Sequence, residues 1–287
     1  MKYHTLLLLL LLAACTTRGP TPEENIHIGT KGLTMTLEPT TTKIFDGDPF
    51  SIIGMISNDG AADVDNGVLS IGLEDDFVSM EGPRVRPIRL TGKSALLPYG
   101  ETQTIRLDLR AKTLPSVTET VTSNILLTMC YPYHTIASAA VCIDTDLENK
   151  RTGKPCTLGS AKVPSGQGGP IAVTKVEEQM SMTTDKQRIV PMFTITVDNP
   201  GSGQVIAPDH VTDVCVGRPA ENANHATLRA WLVDQELTCA KEGTAKVVFE
   251  RQRNVIRCTL PAGIDKQLAT YSSVLRIELD YGYSTTM

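Results

Sequence analysis

SNILLTMCYPYHT, residues 123–135, and SVLRIELDYGYST, residues 273–285, follow one pattern written twice in a chain of 287 residues. Each is an apolar run that closes on Tyr-x-Tyr, giving Tyr131 and Tyr133 in the first copy and Tyr281 and Tyr283 in the second. In the second copy Leu275, Ile277, Leu279 and Tyr281 fall on one side, against Arg276, Glu278 and Asp280 on the other. A period of two is that of a β-strand with one dry and one wet face. The repeat therefore predicts two structurally equivalent halves.

A second matched pair lies upstream in each half. FSIIGMISNDGA (50–61) and FTITVDNPGSGQ (193–204) both open on phenylalanine, alternate, and reach Asn-x-Gly. Phe50, Ile52, Gly54 and Ile56 share one face, as do Phe193, Ile195 and Val197. Asn58, Gly60, Asn199 and Gly201 stand where a tight turn needs either a positive φ or a side-chain hydrogen bond to the backbone. TIRLDLRA alternates in the same way, with Ile105, Leu107 and Leu109 inward. Helical periodicity is scarce, the best candidate being ATLRAWLVDQEL. Short strands with polar turns predict an all-β protein of two tandem immunoglobulin-like antiparallel β-sandwiches, residues 31–146 and 171–287. The connector at 147–170 is dominated by Gly, Pro, Ser and Lys. The four tyrosines are expected to cap the edge of each core, with a hydroxyl at the rim.

The N-terminus carries a different signal. MKYHTLLLLLLLAAC has one lysine and an apolar run from Leu6 to Ala14, too short to span a bilayer and suited to a signal peptide (1–14). Leu12, Ala13, Ala14 and Cys15 resemble a prokaryotic lipobox, which implies a lipid on Cys15. Residues up to 30, with TTRGPTPEEN at their start, read as a flexible tether. The expected location is outside the cytoplasmic membrane, on the extracellular or periplasmic side, with the membrane as the first partner.

Six further cysteines in an exported chain read as three disulfides. Spacing favours Cys239 with Cys258 and Cys142 with Cys156. Cys130 and Cys215, one in each half, either bridge the halves or stay free. With no CxxC, a zinc ribbon is not expected. Asp144, Asp146 and Glu148, in CIDTDLEN, are the nearest approach to a calcium-ligand string. They lack the glycine and distal glutamate of a helix-loop-helix site, so no cofactor is expected and calcium is the alternative.

The chain carries a formal charge of −5, 21% charged residues and no Lys/Arg cluster, which argues against a nucleic-acid partner. His27, His134, His210 and His225 stand in no catalytic motif, and PSGQGGP lacks the lysine and flanking elements of a phosphate loop. No enzyme is expected.

The pattern F-x-I-x-x-x-(V/I)-x-N-x-G, then LPYGETQTIRLDLRA, then a closing Tyr-x-Tyr strand resembles CARDB-type and S-layer-associated immunoglobulin-like modules of prokaryotic, especially archaeal, surface proteins. That resemblance implies an extracellular β-sandwich module and no particular activity. The expected role is binding, adhesion or envelope scaffolding with a protein or envelope-component partner. The alternative is a small ligand or calcium held in the cleft between the halves or in the acidic loops.

Overall fold

The computed structural model describes residues 26–38, 42–114, 120–164, 166–220, 223–240, 245–249 and 253–287. The expected signal peptide and Cys15 lie outside these residues. Seven strands come from the first half: β1 (Leu33–Leu37), β2 (Pro49–Asn58), β3 (Val64–Leu73), β4 (Val78–Met80), β5 (Val85–Leu90), β6 (Thr102–Ala111) and the long β7 (Ile125–Ile143). β8 (Ser160–Lys162) arises within the expected connector. The second half adds β9 (Ala172–Met182), β10 (Arg188–Asp198), β11 (Gln204–Ile206), the short helix α1 (Val211–Cys215) and β12 (His225–Leu232). It ends with β13 (Gln235–Glu236), β14 (Ala245–Val248), β15 (Arg253–Thr259), β16 (Ile264–Asp265) and the long β17 (Tyr271–Thr286).

The strands form antiparallel sheets. A first-half sheet runs β1-β2-β6-β4, and a second-half sheet runs β15-β10-β9-β8 with β16 beside β10. A third sheet, β13-β12-β17-β7-β3-β5, is shared by both halves, and β11 and β14 also pair to it. The expected inward residues of β2, β6, β10 and β17 are buried or nearly so, among them Ile56, Leu107, Phe193 and Leu275. Alternation was thus a sound guide to the strands. It also overrides the one helical candidate: Ala226, Leu228, Ala230 and Leu232 of ATLRAWLVDQEL are the buried face of β12.

The two halves meet strand to strand. All 16 residues of β17 pair with β7, from Tyr271 opposite Ile143 to Thr286 opposite Thr128, with no break in register. An unbroken register keeps every odd-numbered side chain of both strands on one face. The two smaller sheets therefore cover that same face, and one apolar cluster takes in Ile56, Leu107, Leu127, Val141, Phe193, Ile195 and Leu279. The repeat predicts two bodies with a core each; the structure continues one sheet and one core through both.

The Tyr-x-Tyr motifs lie at the centre of this seam. Tyr131 is opposite Tyr283, Tyr133 opposite Tyr281, and Pro132 opposite Gly282, so the two copies meet around a local two-fold axis. This corrects the expectation of rim positions: all four rings are buried, with centroids 5.7–6.5 Å apart in edge-on and tilted contacts. Such contacts contribute about 0.5–1.5 kcal/mol each beyond area burial. Pro132 fits an interior strand because β3 pairs with β7 only as far as Cys130.

Each buried hydroxyl requires a partner, and the repeat supplies it twice. Tyr133 Oη accepts from Ala62 N (3.2 Å), and Tyr283 Oη accepts from Gly203 N (2.8 Å). Both nitrogens lie in the Asn-x-Gly turns, where Asn58 Nδ2 donates to Ala62 O and Asn199 Nδ2 to Gly203 O. Tyr131 Oη accepts from Leu33 N and Tyr281 Oη from Ile171 N, just before or at the first strand of each half. Tyr133 donates onward to Gly168 O, Tyr283 to Asn199 Oδ1, and Tyr281 shares a hydrogen bond with Thr135. The two motifs found separately in the sequence are thus in contact in both halves.

Gly60 and Gly201 are not among the glycines at positive φ. What they supply is room. A Cβ on Gly60 would overlap the Tyr133 hydroxyl and lie 2.7 Å from Gly168 O and Lys31 O; one on Gly201 would overlap the Tyr283 hydroxyl. Gly60→Ala should therefore destabilise the fold by about 1–3 kcal/mol in chemical denaturation, whereas an open-space site such as Gly159→Ala should change it little.

Burial pushes the Tyr133 phenol up to about 12 and those of Tyr131, Tyr281 and Tyr283 above their ordinary value. Tyrosines held neutral in the fold contribute stability below the unfolded value of about 10 and lose it above. Tyrosinate absorbance from these four should appear only with unfolding, at alkaline pH; ionisation of all the tyrosines in a still-folded chain would contradict the buried cluster.

Candidate binding surface

The even-numbered residues of β7 and β17 point to the opposite, outer face of the shared sheet. One part of that face is covered. β11 pairs with β17 beside Gly282, a turn at Pro208–His210 follows, and α1 brings Cys215 against Cys130. Ile206, Val211, Cys130 and Cys215 form a small cluster of their own. Gly282 allows the crossing, because a Cβ there would overlap the Val211 side chain.

The remainder is open and carries a charged, aromatic patch on three adjacent strands. In register across β12, β17 and β7 lie Trp231, Arg276 and Ser138, then Arg229, Glu278 and Ile136, then Thr227, Asp280 and His134. The guanidinium carbons of Arg229 and Arg276 lie 5.4 and 5.6 Å from the centre of the Trp231 ring, within cation–π range. Glu278, 8% exposed, pairs with both arginines. His134 Nδ1 lies 2.6 Å from Asp280 Oδ1, and Arg229 reaches Asp280 at 3.6 Å. The ion pairs hold the two guanidiniums beside the only tryptophan of the chain.

Beside this patch the backbone is strained. Val233, in the turn from β12 to β13, has φ 56°, a conformation that β-branched residues avoid. It is 63% exposed, its N–H donates to Val274 O, and Val274 is itself 55% exposed. Nothing in the core requires a valine at that turn tip.

Other expected site residues have structural placements. The disulfides are Cys239–Cys258, Cys142–Cys156 and Cys130–Cys215, with sequence separations of 19, 14 and 85. The third bridges the halves, resolving the open alternative. Loop closure contributes about 3 kcal/mol for the short loops and more for the long one. Three disulfides accord with folding in an oxidising compartment. No helix among the described residues is long and apolar enough to cross a membrane.

The acidic string holds an internal cation. Lys154 Nζ donates to Asp144 Oδ2 (2.7 Å), Asp146 O (2.6 Å) and Asn149 Oδ1 (2.8 Å). Asp146 accepts from the N–H groups of Lys150 and Arg151, Asp144 accepts from Thr270, and Glu148 pairs with Lys150. These oxygens fix the connector against the start of β17. Among the described residues no cluster of three or more His, Cys, Asp or Glu is arranged to hold a metal ion.

No protein-family model matches the chain, and no curated protein matches it in sequence.

Sequence reasoning passed over Trp231 and Val233, and read Arg276 as outward without giving it a partner. Alternation in ATLRAWL puts Trp231 opposite the buried Ala230 and Leu232, which is the signal for an outward tryptophan. Its stacking partner Arg276 comes from a strand 45 residues away and is visible only in the register.

Asp280 holds the His134 pKa above its usual value, and His134 holds Asp280 below the carboxylate range. Protonated His134 contributes fully below about pH 6.5, and its contribution fades as pH rises through the raised folded value; Asp280 contributes above about pH 3.9. The melting-temperature difference between wild type and His134→Gln should be widest at about pH 5–6 and narrow by about pH 9. A difference that does not vary with pH would remove the ion pair.

Proposed function

We propose that the chain is a lipid-anchored, non-catalytic binding protein of the cell exterior. It engages a protein or envelope component through the open part of the outer sheet face. The single observation that carries this reading is the strained, exposed Val233 beside Trp231 and its two arginines. Strain held at a solvent-facing apolar residue is a cost to folding that a binding role accounts for. Aromatic and arginine side chains are also those that dominate the energetics of protein interfaces.

The lipobox-like LAAC supports a lipid on Cys15, and the residues between Cys15 and Ile26 would act as a tether, since Gly29 already accepts a hydrogen bond from Gly168 N. The all-β architecture and the disulfides are compatible with a surface module of the tandem immunoglobulin-like kind. The shared sheet supports a rigid presenter, since β7 and β17 leave no free hinge between the halves.

The test is a pull-down from envelope extract with the full chain. Wild type should recover a stoichiometric partner, Trp231→Ala should lose it, and Cys15→Ser should move the chain from the membrane to the soluble fraction. Val233→Gly should lower partner recovery while raising stability by about 1–2 kcal/mol, because glycine accepts the left-handed backbone. Undiminished recovery by both outer-face variants would exclude this surface.

A further inference from the structure

The loop from β5 to β6 reads TGKSALLPYGE, residues 91–101, and its middle, Ala95 to Tyr99, is an uncharged apolar run. A tight turn holds its tip. Ser94 and Leu97 exchange backbone hydrogen bonds at 3.0 and 3.1 Å, Ser94 Oγ accepts a further one from Leu97 N, and Gly100 N donates to Leu97 O. Leu96 is 96% exposed, more than any other large apolar side chain among the described residues, and Tyr99 is 84% exposed. Apolar residues presented together on a fixed surface turn add nothing to the core and are disfavoured in water unless something covers them.

What covers them follows from where the chain's own anchor attaches. The first described residues and the base of this loop meet at the turn after β2: Gly168 N donates to Gly29 O, Ala61 N to Gly168 O (2.7 Å), and Lys93 N to Gly60 O (2.8 Å). Ten residues separate Cys15 from Ile26, a span of roughly 35–40 Å at full extension. A lipid on Cys15 therefore makes this end of the first half the one nearer the bilayer. Phe45, 82% exposed, lies just before β2 and so at the other end of that ten-residue strand, about 33 Å away. Leucine is an inserting side chain and tyrosine an interfacial one. Lys31 and Lys93 stand among Asp59, Asp63 and Glu101 at the loop base, where Asp59 pairs with Lys31, Asp63 accepts from Gly92 N and Glu101 from Thr91 N. That is no basic patch for anionic headgroups, so the attraction is apolar. We infer that the Leu96–Tyr99 tip is seated in the surface of the membrane that holds the Cys15 lipid, giving the chain a second point of contact and a fixed orientation. This seating rests on the lipid proposed at Cys15 and is independent of the outer-face partner.

The experiment uses the full chain, purified from membranes with its lipid and reconstituted into phosphatidylcholine vesicles. A single tryptophan is placed by Leu96→Trp or by Phe45→Trp, each in a Trp231→Phe background; both sites are exposed, so neither change should disturb the fold. Flotation with the vesicles reads the anchor, and fluorescence reads the loop. The emission of the Leu96→Trp chain should lie to the blue of that of the Phe45→Trp chain, be quenched by brominated acyl chains and be shielded from aqueous iodide. The Phe45→Trp chain should be open to iodide and untouched by bromine. A Leu96→Trp chain that floats but stays unquenched and open to iodide overturns the seated loop, leaves the anchor standing and assigns the tip to a protein partner. A chain that does not float overturns the anchor and the seating together, and equal quenching of the two variants overturns the orientation.

Discussion

Four buried phenol hydroxyls set the terms for this molecule. Placing Tyr131, Tyr133, Tyr281 and Tyr283 at the seam of β7 and β17 joins the halves through edge-on and tilted ring contacts, but it also buries four polar atoms that must be satisfied. Their partners are backbone groups of the segments that lie over the seam, Leu33 N, Ala62 N, Gly168 O, Ile171 N and Gly203 N, together with the side chains of Asn199 and Thr135. Those segments must come close, and this is why glycine recurs there. The paired asparagines then hold the turns in shape through their own side chains. Core packing, turn chemistry and the junction between the halves are consequently one problem with one solution, used twice.

Around that symmetric centre the halves have diverged. Among the described residues it is the second half that sends a chain segment across the outer face, where Cys215 meets Cys130 beside the first Tyr-x-Tyr. In the first half the matching strand end leads to the acidic loop, where Asp144 and Asp146 close around Lys154 and the Cys142–Cys156 bridge lies nearby. Three kinds of constraint therefore tie the connector and the crossing segment to the shared sheet: disulfides, a caged ammonium, and the tyrosine hydrogen bonds.

One face of the shared sheet is committed to the core, and part of the other is covered by β11 and α1. The area left over is the patch of Trp231, Arg229 and Arg276 with its underlying acids. Glu278 shows how the patch is ordered, since a nearly buried carboxylate is tolerable only when paired, and here it takes both guanidiniums. The arginines are thereby held in place, which would limit the ordering cost of the proposed association.

How much of this was legible in the sequence depends on the range of the interactions. Alternation in FSIIGMIS, TIRLDLRA, FTITV and VLRIELDY determined the strands and their inward residues, because a period of two is a property of the backbone itself. The two disulfides with short loops were legible for a similar reason: nearness in sequence makes pairing probable. The repeat announced two equivalent halves. It did not show that Tyr131 would face Tyr283, because pairing strands 150 residues apart is decided by the whole sheet and not by either segment. The same holds for Cys130 with Cys215, for Arg276 beside Trp231, and for the tyrosines at a buried seam instead of a rim. Local periodicity belonged to the sequence; which outward face stayed wet, and which was covered by another part of the chain, belonged to the tertiary structure, since burial is a relation between distant segments.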